Sequence, residues 1–207
     1  MKNSKIKVPY VDRASLPPGG VRMVEALRKL LGEKEFNAIT TAEIATVAGA
    51  NEALIYKYFG SKRELLHAVL LDYSREFLAN IQLKLKGIKG ADNKLRKLLW
   101  EYIYMYQTEP VIGKILVLEV RNYPGYFETE IYQLIKGFAK TMRGLIEEGI
   151  ADGDFRDDIS SWTIMQAILG AVEHLCMPKI IFGRDISADD LTEDLFNLII
   201  DGIRKKR

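Results

Sequence analysis

The residues best suited to chemistry stand in one run, NAITTAEIATVAGANEALIYKYFGSKREL, at residues 37–65. Within it Asn51, Glu52, Ala53, Leu54, Tyr56, Lys57 and Tyr58 supply two phenols, an ammonium, an amide and a carboxylate, with few large aliphatic groups between them. Such a set breaks no bonds; it donates and accepts hydrogen bonds, which suits phosphate oxygens and base edges in a groove better than a core. Bond-breaking constellations are missing: His67 and His174 are far apart, and there is no H-E-x-x-H pair, glycine-rich phosphate loop or serine elbow. Neither an enzyme nor a cofactor is expected. The run Asp152–Asp158 has the acidic density of a calcium loop. Such a loop needs glycine at its sixth position and glutamate at its twelfth, where this chain has Asp157 and Thr163, so no metal site is expected.

Three helix starts position the run. Thr40 with Glu43 forms a capping box, in which the hydroxyl accepts from the Glu43 amide and the carboxylate returns to the Thr40 amide. Ile39 and Ile44 have the spacing of a hydrophobic staple around that cap. Gly49 ends the helix in a left-handed residue, Asn51 caps a second helix over Glu52–Tyr58, and Ser61 with Glu64 opens a third. Ala45 and Ala48 allow a close crossing under Ile55 and Phe59. The short turn between the first two helices is that of a helix-turn-helix, whose second helix enters the major groove.

The segment resembles the DNA-binding domain of the TetR (tetracycline repressor) family of bacterial regulators, through Thr40, Ile44, Ala45, Ala48, Gly49, Ile55, Tyr56, Tyr58, Phe59, Ser61, Lys62, Leu65 and Leu66. It departs from the family pattern at Ala50 for Val, Asn51 for Ser, Ala53 for Gly, and Glu35 where a glycine is common. The resemblance implies that Thr40, Tyr56, Tyr58 and Lys62 contact phosphates and that Asn51, Glu52, Ala53, Leu54 and Lys57 lie on or beside base edges. It also implies that the acidic run is a G-x-[LF]-R-x-D turn.

Charge follows the same division. Residues 1–67 hold eleven Lys and Arg against seven Asp and Glu, a net of +4, and the remaining 140 carry −2. The N-terminus has no signal-peptide stretch, no apolar run approaches a membrane span of about 20 residues, and the single Cys176 fits a reducing compartment. A cytoplasmic location without membrane contact is expected.

The expected organisation is a mobile basic arm over residues 1–20 (Lys2, Lys5, Lys7, Arg13) ending in the Pro17–Gly20 turn, a helix-turn-helix domain over 21–67, and a larger domain over 68–207. Apolar spacing predicts an all-α chain of about nine helices, the first from Val21 with Arg22 and Arg28 as secondary phosphate contacts. A long helix from Ser61 to Leu85 links the domains, a short one over 111–122 closes at Pro124, and the last two run from Ser160 to Pro178 and from Ser187. Small residues at Ala167, Gly170 and Ala171, with Leu191, Leu195 and Leu198, suit a helix-packed homodimer, as in TetR-type proteins. A dimer sets two recognition helices about 34–36 Å apart on a palindromic operator in double-stranded DNA. Trp100, Tyr104, Glu119, Phe127, Phe138, Met142, Met165, Leu169, Glu173 and His174 are the candidates for the pocket of an unidentified small-molecule effector. The function expected is a ligand-released repressor; a DNA-binding architectural protein without effector and a helical interaction protein without DNA affinity are the alternatives.

Overall fold

The computed structural model describes residues 15–122 and 125–204. The expected basic arm through Arg13, the stop at Pro124 and the terminal Lys205–Arg207 lie outside the described residues. Nine α-helices occur among the described residues: α1 (Pro18–Leu31), α2 (Thr41–Ala48), α3 (Ala53–Phe59), α4 (Lys62–Leu85), α5 (Ala91–Thr108), α6 (Pro110–Lys114), α7 (Glu130–Ala151), α8 (Ser161–Phe182) and α9 (Ala188–Ile203). No strand occurs among them; the only extended pairing is an isolated bridge between Phe155 and Arg204.

The chain divides into two compact units. The first takes residues up to Glu76 together with Leu118–Gln133; the second takes Phe77–Val117 and the chain from Leu134 onward. Helix α4 runs through both, so the division expected after residue 67 falls inside a continuous helix. In the first unit α1 packs on α2 and α3 through Met23, Val24, Leu27, Leu30 and Leu31, all buried. In the second, α5 is the central helix, packed on α6, α8 and α9. Its buried side includes Leu95, Leu98, Leu99, Ile103 and Tyr106.

Three elements differ from expectation for identifiable reasons. Pro18–Gly20 form the first turn of α1 rather than a separate turn. Pro18 has no N–H to leave unpaired there, its fixed φ already suits a helix, and the carbonyl of Pro17 accepts from Gly20 and Val21. Helix α8 continues through Pro178 for one further turn and stops at Gly183, whose N–H donates to the Lys179 carbonyl; the Pro178 carbonyl takes the N–H of Arg184. The helix expected over 111–122 is α-helical only to Lys114, then widens to a π turn over Ile115–Glu119 and tightens to a 3-10 turn over Val120–Asn122.

The acidic run is the turn that the resemblance implied. Phe155 is buried against Gly149 of α7, the backbone N–H of Arg156 donates to the Ile203 carbonyl at 2.7 Å, and the Arg156 guanidinium grips Asp158 at 2.5 and 2.6 Å. The turn thereby ties the end of α7 to the end of α9.

Candidate nucleic-acid interface

The corner made by α2 and α3 is held by side chains close in sequence. Thr40 Oγ1 accepts from the Glu43 N–H at 3.1 Å, Asn51 Oδ1 from the Ala53 N–H at 2.8 Å, and Ser61 Oγ from the Glu64 N–H at 3.1 Å. Gly49 adopts the left-handed conformation, φ 57° and ψ 44°, at which a side chain would be strained. Ile39 and Ile44 are both buried, as a staple requires, and Ala45, Ala48, Ile55 and Phe59 complete the corner. One half of the expected capping box is replaced. The Glu43 carboxylate accepts from the Lys34 ammonium rather than from the Thr40 amide, and this hydrogen bond holds its pKa below the ordinary carboxylate value.

Burial of Ile55 and Phe59 turns Ala53, Tyr56 and Lys57 outward on the opposite side of α3, with Tyr56 56% exposed. Asn51 and Thr40 are exposed beside them, and Glu52 is half-buried in the first turn. The other expected contacts are placed differently. Leu54 lies against Gly19 and Tyr58 against Gly20 of α1, so both seal the junction between α1 and α3. The Gly19–Gly20 pair was the available sign of that close approach. Arg22 donates to the Ala48 carbonyl at 3.1 Å, and Arg28 pairs with Glu76 at 2.7 Å over the ring of Tyr73. These two guanidiniums, expected as secondary phosphate contacts, each make a hydrogen bond within the chain.

Lys62 also turns inward. Its ammonium donates to the carbonyls of Phe36, at 2.7 Å, and Ile39, and lies 4.2 Å from the centroid of the Phe36 ring. Burial holds its pKa below the ordinary lysine value. The first residue of α4 is thus fastened to the turn that leads into α2. Lys62→Met keeps the aliphatic stem but removes both hydrogen bonds, and is expected to cost about 1–3 kcal/mol. Calorimetry should show the thermal midpoint fall by about 3–10 °C.

The sequence profile described as "Bacterial regulatory proteins, tetR family" matches residues 23–69, and that of "YsiA-like protein, C-terminal region" matches residues 73–202. Together they span both parts of the chain. The chain belongs to the TetR family. Among TetR-family relatives, it is 20% identical over 189 residues to the fatty acid metabolism regulator protein of Bacillus subtilis, covering 91% of this chain and 97% of that one. It is 32% identical over 143 residues to the HTH-type transcriptional repressor NicS of Pseudomonas putida, 66% of each chain. The transcriptional regulator FadR from Bacillus subtilis, solved in complex with stearoyl-CoA, has the same fold, with a TM-score of 0.76 at 19% identity over 88% of this chain and 98% of that one.

In this TetR-family chain the ten expected effector residues do not form one group. Phe138, Met142 and Met165 are buried in the second unit, where the Phe138 ring lies 4.9 Å from that of Tyr102. Tyr106 donates to the Tyr102 hydroxyl at 3.2 Å, and Tyr102 to the Glu173 carboxylate at 3.3 Å, a polar chain inside an apolar surround. Tyr102 and Tyr106, which sequence places one helical turn apart among the aromatics of the central helices, join Phe138 and Glu173 here. Leu169 is half-buried and His174 is exposed. Trp100 and Tyr104 stack on each other at 4.5 Å on the outer side of α5. The Trp100 indole donates to Asp189 at 2.7 Å, and Lys97 caps its ring at 4.1 Å, so these aromatics serve the junction of α5 and α9. Phe127 is 63% exposed in a 3-10 turn, edge-on to Tyr126 and Tyr132, and Glu119 closes the π turn; both belong to the first unit.

The expected dimer residues also separate. Ala167 and Gly170 are exposed and Ala171 is half-buried on α8; on α9 Leu191 is half-buried and Leu198 is 73% exposed. Leu195 is buried within its own unit and belongs to the core. Ile181 and Phe182 add exposed apolar area at the end of α8. By length and mean hydropathy, 1.3 over its best 18 residues, α8 meets the requirement for a membrane span, contrary to expectation. Gln166, Glu173, His174 and Lys179 interrupt it, however, and Glu173 is bonded to Tyr102 of α5. Cys176 sits on its buried side, where burial pushes the thiol pKa up to about 12, so the sulfur is neutral and unreactive near pH 7.

Proposed function

We propose that this TetR-family regulator is a homodimeric repressor that leaves a palindromic operator when a small, largely apolar effector binds its larger unit. The observation that carries the reading is the outward face of α3: Ala53, Tyr56 and Lys57 stand exposed on a corner where Thr40 Oγ1, Asn51 Oδ1 and the Lys62 ammonium are engaged within the chain. A solvent face with a phenol and an ammonium on a capped helix-turn-helix suits the major groove and its phosphates. The exposed apolar stripes of α8 and α9 support a second copy as their cover. A relative named as a repressor supports the direction of control. The protein acts in the cytoplasm, where its DNA is.

The effector reading rests on Phe138, Met142 and Met165, which offer an apolar surround, and on Glu173, whose carboxylate suits one cationic or hydrogen-bond-donating group. A relative named for fatty acid metabolism and a similar fold holding stearoyl-CoA support an acyl-bearing compound. Release requires the effector to favour the conformation that does not bind DNA.

Genomic fragments retained by the purified protein would identify the operator. On it, Tyr56→Ala is expected to weaken binding by about 1.5–3 kcal/mol per half-site, uniformly across sequences, through the lost hydrogen bond to a charged phosphate. Gel retardation measures it. Stearoyl-CoA and a quaternary ammonium, titrated separately into the complex, test the effector. Release by neither, with no shift in thermal midpoint, would favour the architectural alternative.

A further inference from the structure

The structure leaves few side chains able to tell one base pair from another. With Ile55 and Phe59 buried, the helical period places positions 53, 56, 57 and 60 on the solvent side of α3. Ala53 offers a methyl group and Gly60 nothing. Asn51 gives its amide oxygen to the Ala53 N–H. Glu52 is an acceptor only, half-buried in the first turn. Leu54 and Tyr58 are packed on Gly19 and Gly20. Tyr56 has one hydroxyl, a single bond where discrimination needs a pattern of two.

Lys57 differs from all of these. It is exposed in the middle of α3, and among the described residues it has no carboxylate partner. The neighbouring cations Arg22, Arg28, Lys34 and Lys62 are each engaged within the chain. Its ammonium lies 5.3 Å from the centroid of the Tyr58 ring, which steadies the stem and leaves the N–H donors in solvent. Guanine alone presents two acceptors, O6 and N7, side by side in the major groove, and lysine is a donor to both.

We propose that Lys57 is the specificity-determining residue of this regulator and reads one guanine in each operator half-site. The inference rests on the reading above that α3 enters the major groove, and adds which residue discriminates and for which base. Ala53 allows the close approach this needs, and Tyr56 holds phosphate without choosing among bases.

The test is selection of bound sites from a randomised DNA library by the full chain and by its Lys57→Ala and Lys57→Gln variants, each checked for helicity. The wild type is expected to select guanine at one symmetry-related position per half-site, by about 5- to 150-fold over other bases. Lys57→Ala should lose preference at that position and keep it elsewhere. Lys57→Gln should change the preferred base there to adenine, since glutamine pairs with N6 and N7. If both variants keep the wild-type consensus and bind every sequence more weakly, with the salt slope lowered by about one per half-site, Lys57 is a phosphate contact and the proposal falls. If the wild type itself shows no salt-dependent retention on any DNA, the underlying reading of α3 falls with it.

Discussion

Gly170→Arg is expected to yield a folded monomer whose affinity for a palindromic operator is about 10²- to 10⁴-fold below that of the wild type. Gly170 lies on the exposed side of α8, with no atom within 4 Å of an added Cβ, so the isolated chain has room for the new side chain. Arginine also favours a helix over glycine by about 1 kcal/mol, and helicity should be retained. A second helix, by contrast, could approach this small-residue stripe closely only while Ala167, Gly170 and Ala171 remain small. A bulky cation at its centre excludes the partner and brings a charge into an apolar contact. In the proposed dimer, loss of the partner means that the two recognition helices no longer bind as a linked pair, and each half-site is held alone. Light scattering reads the oligomeric state and gel retardation the affinity. A variant that stays dimeric with unchanged affinity would place the subunit contact elsewhere and overturn the assignment of α8.

The second large effect is on stability. Gly149, in the last turn of α7, is overlaid by the Phe155 ring, which is 2% exposed, and its carbonyl accepts from the N–H groups of both Asp154 and Phe155 at 3.0 and 2.9 Å. An added methyl would lie inside the ring's contact distance, and the ring cannot swing aside without pulling the bridge to Arg204. Gly149→Ala should therefore destabilise the protein by about 1–3 kcal/mol despite alanine's better helix propensity. For a chain of this size that is a fall of about 3–10 °C in thermal midpoint. A double-mutant cycle isolates the cause: Phe155→Ala alone should cost about 3–5 kcal/mol, and in that background the Gly149→Ala penalty should disappear. An equal penalty in both backgrounds would locate the strain outside the Phe155 contact.

Features written within four residues of one another are legible in the sequence. The caps at Thr40, Asn51 and Ser61, the staple and the left-handed Gly49 need only neighbours in the chain, and all are present. Contacts with partners distant in sequence were not legible. Lys62 finds its carbonyls at residues 36 and 39, Arg22 finds Ala48, and Trp100 finds Asp189 at a separation of 89 residues. Composition marks Trp100 and Phe127 as suitable lining for a cavity; loop position leaves Phe127 exposed, whereas Trp100 is half-buried and lines a cavity of about 380 Å³ where α5 meets α9. Leu195 and Leu198 share a helix, yet three residues rotate a side chain far enough to separate a core position from an exposed one. Pro178 read as a stop because a proline removes one hydrogen bond. One lost bond was less than a further apolar turn and a glycine cap could offset.

The fastening of Lys62 bears on how a signal could travel. The first residue of α4 is hooked onto the peptide carbonyls just ahead of α2, so the joint between these two helices has no slack. A displacement of the start of α4 would be passed to the turn into α2 rather than lost between them.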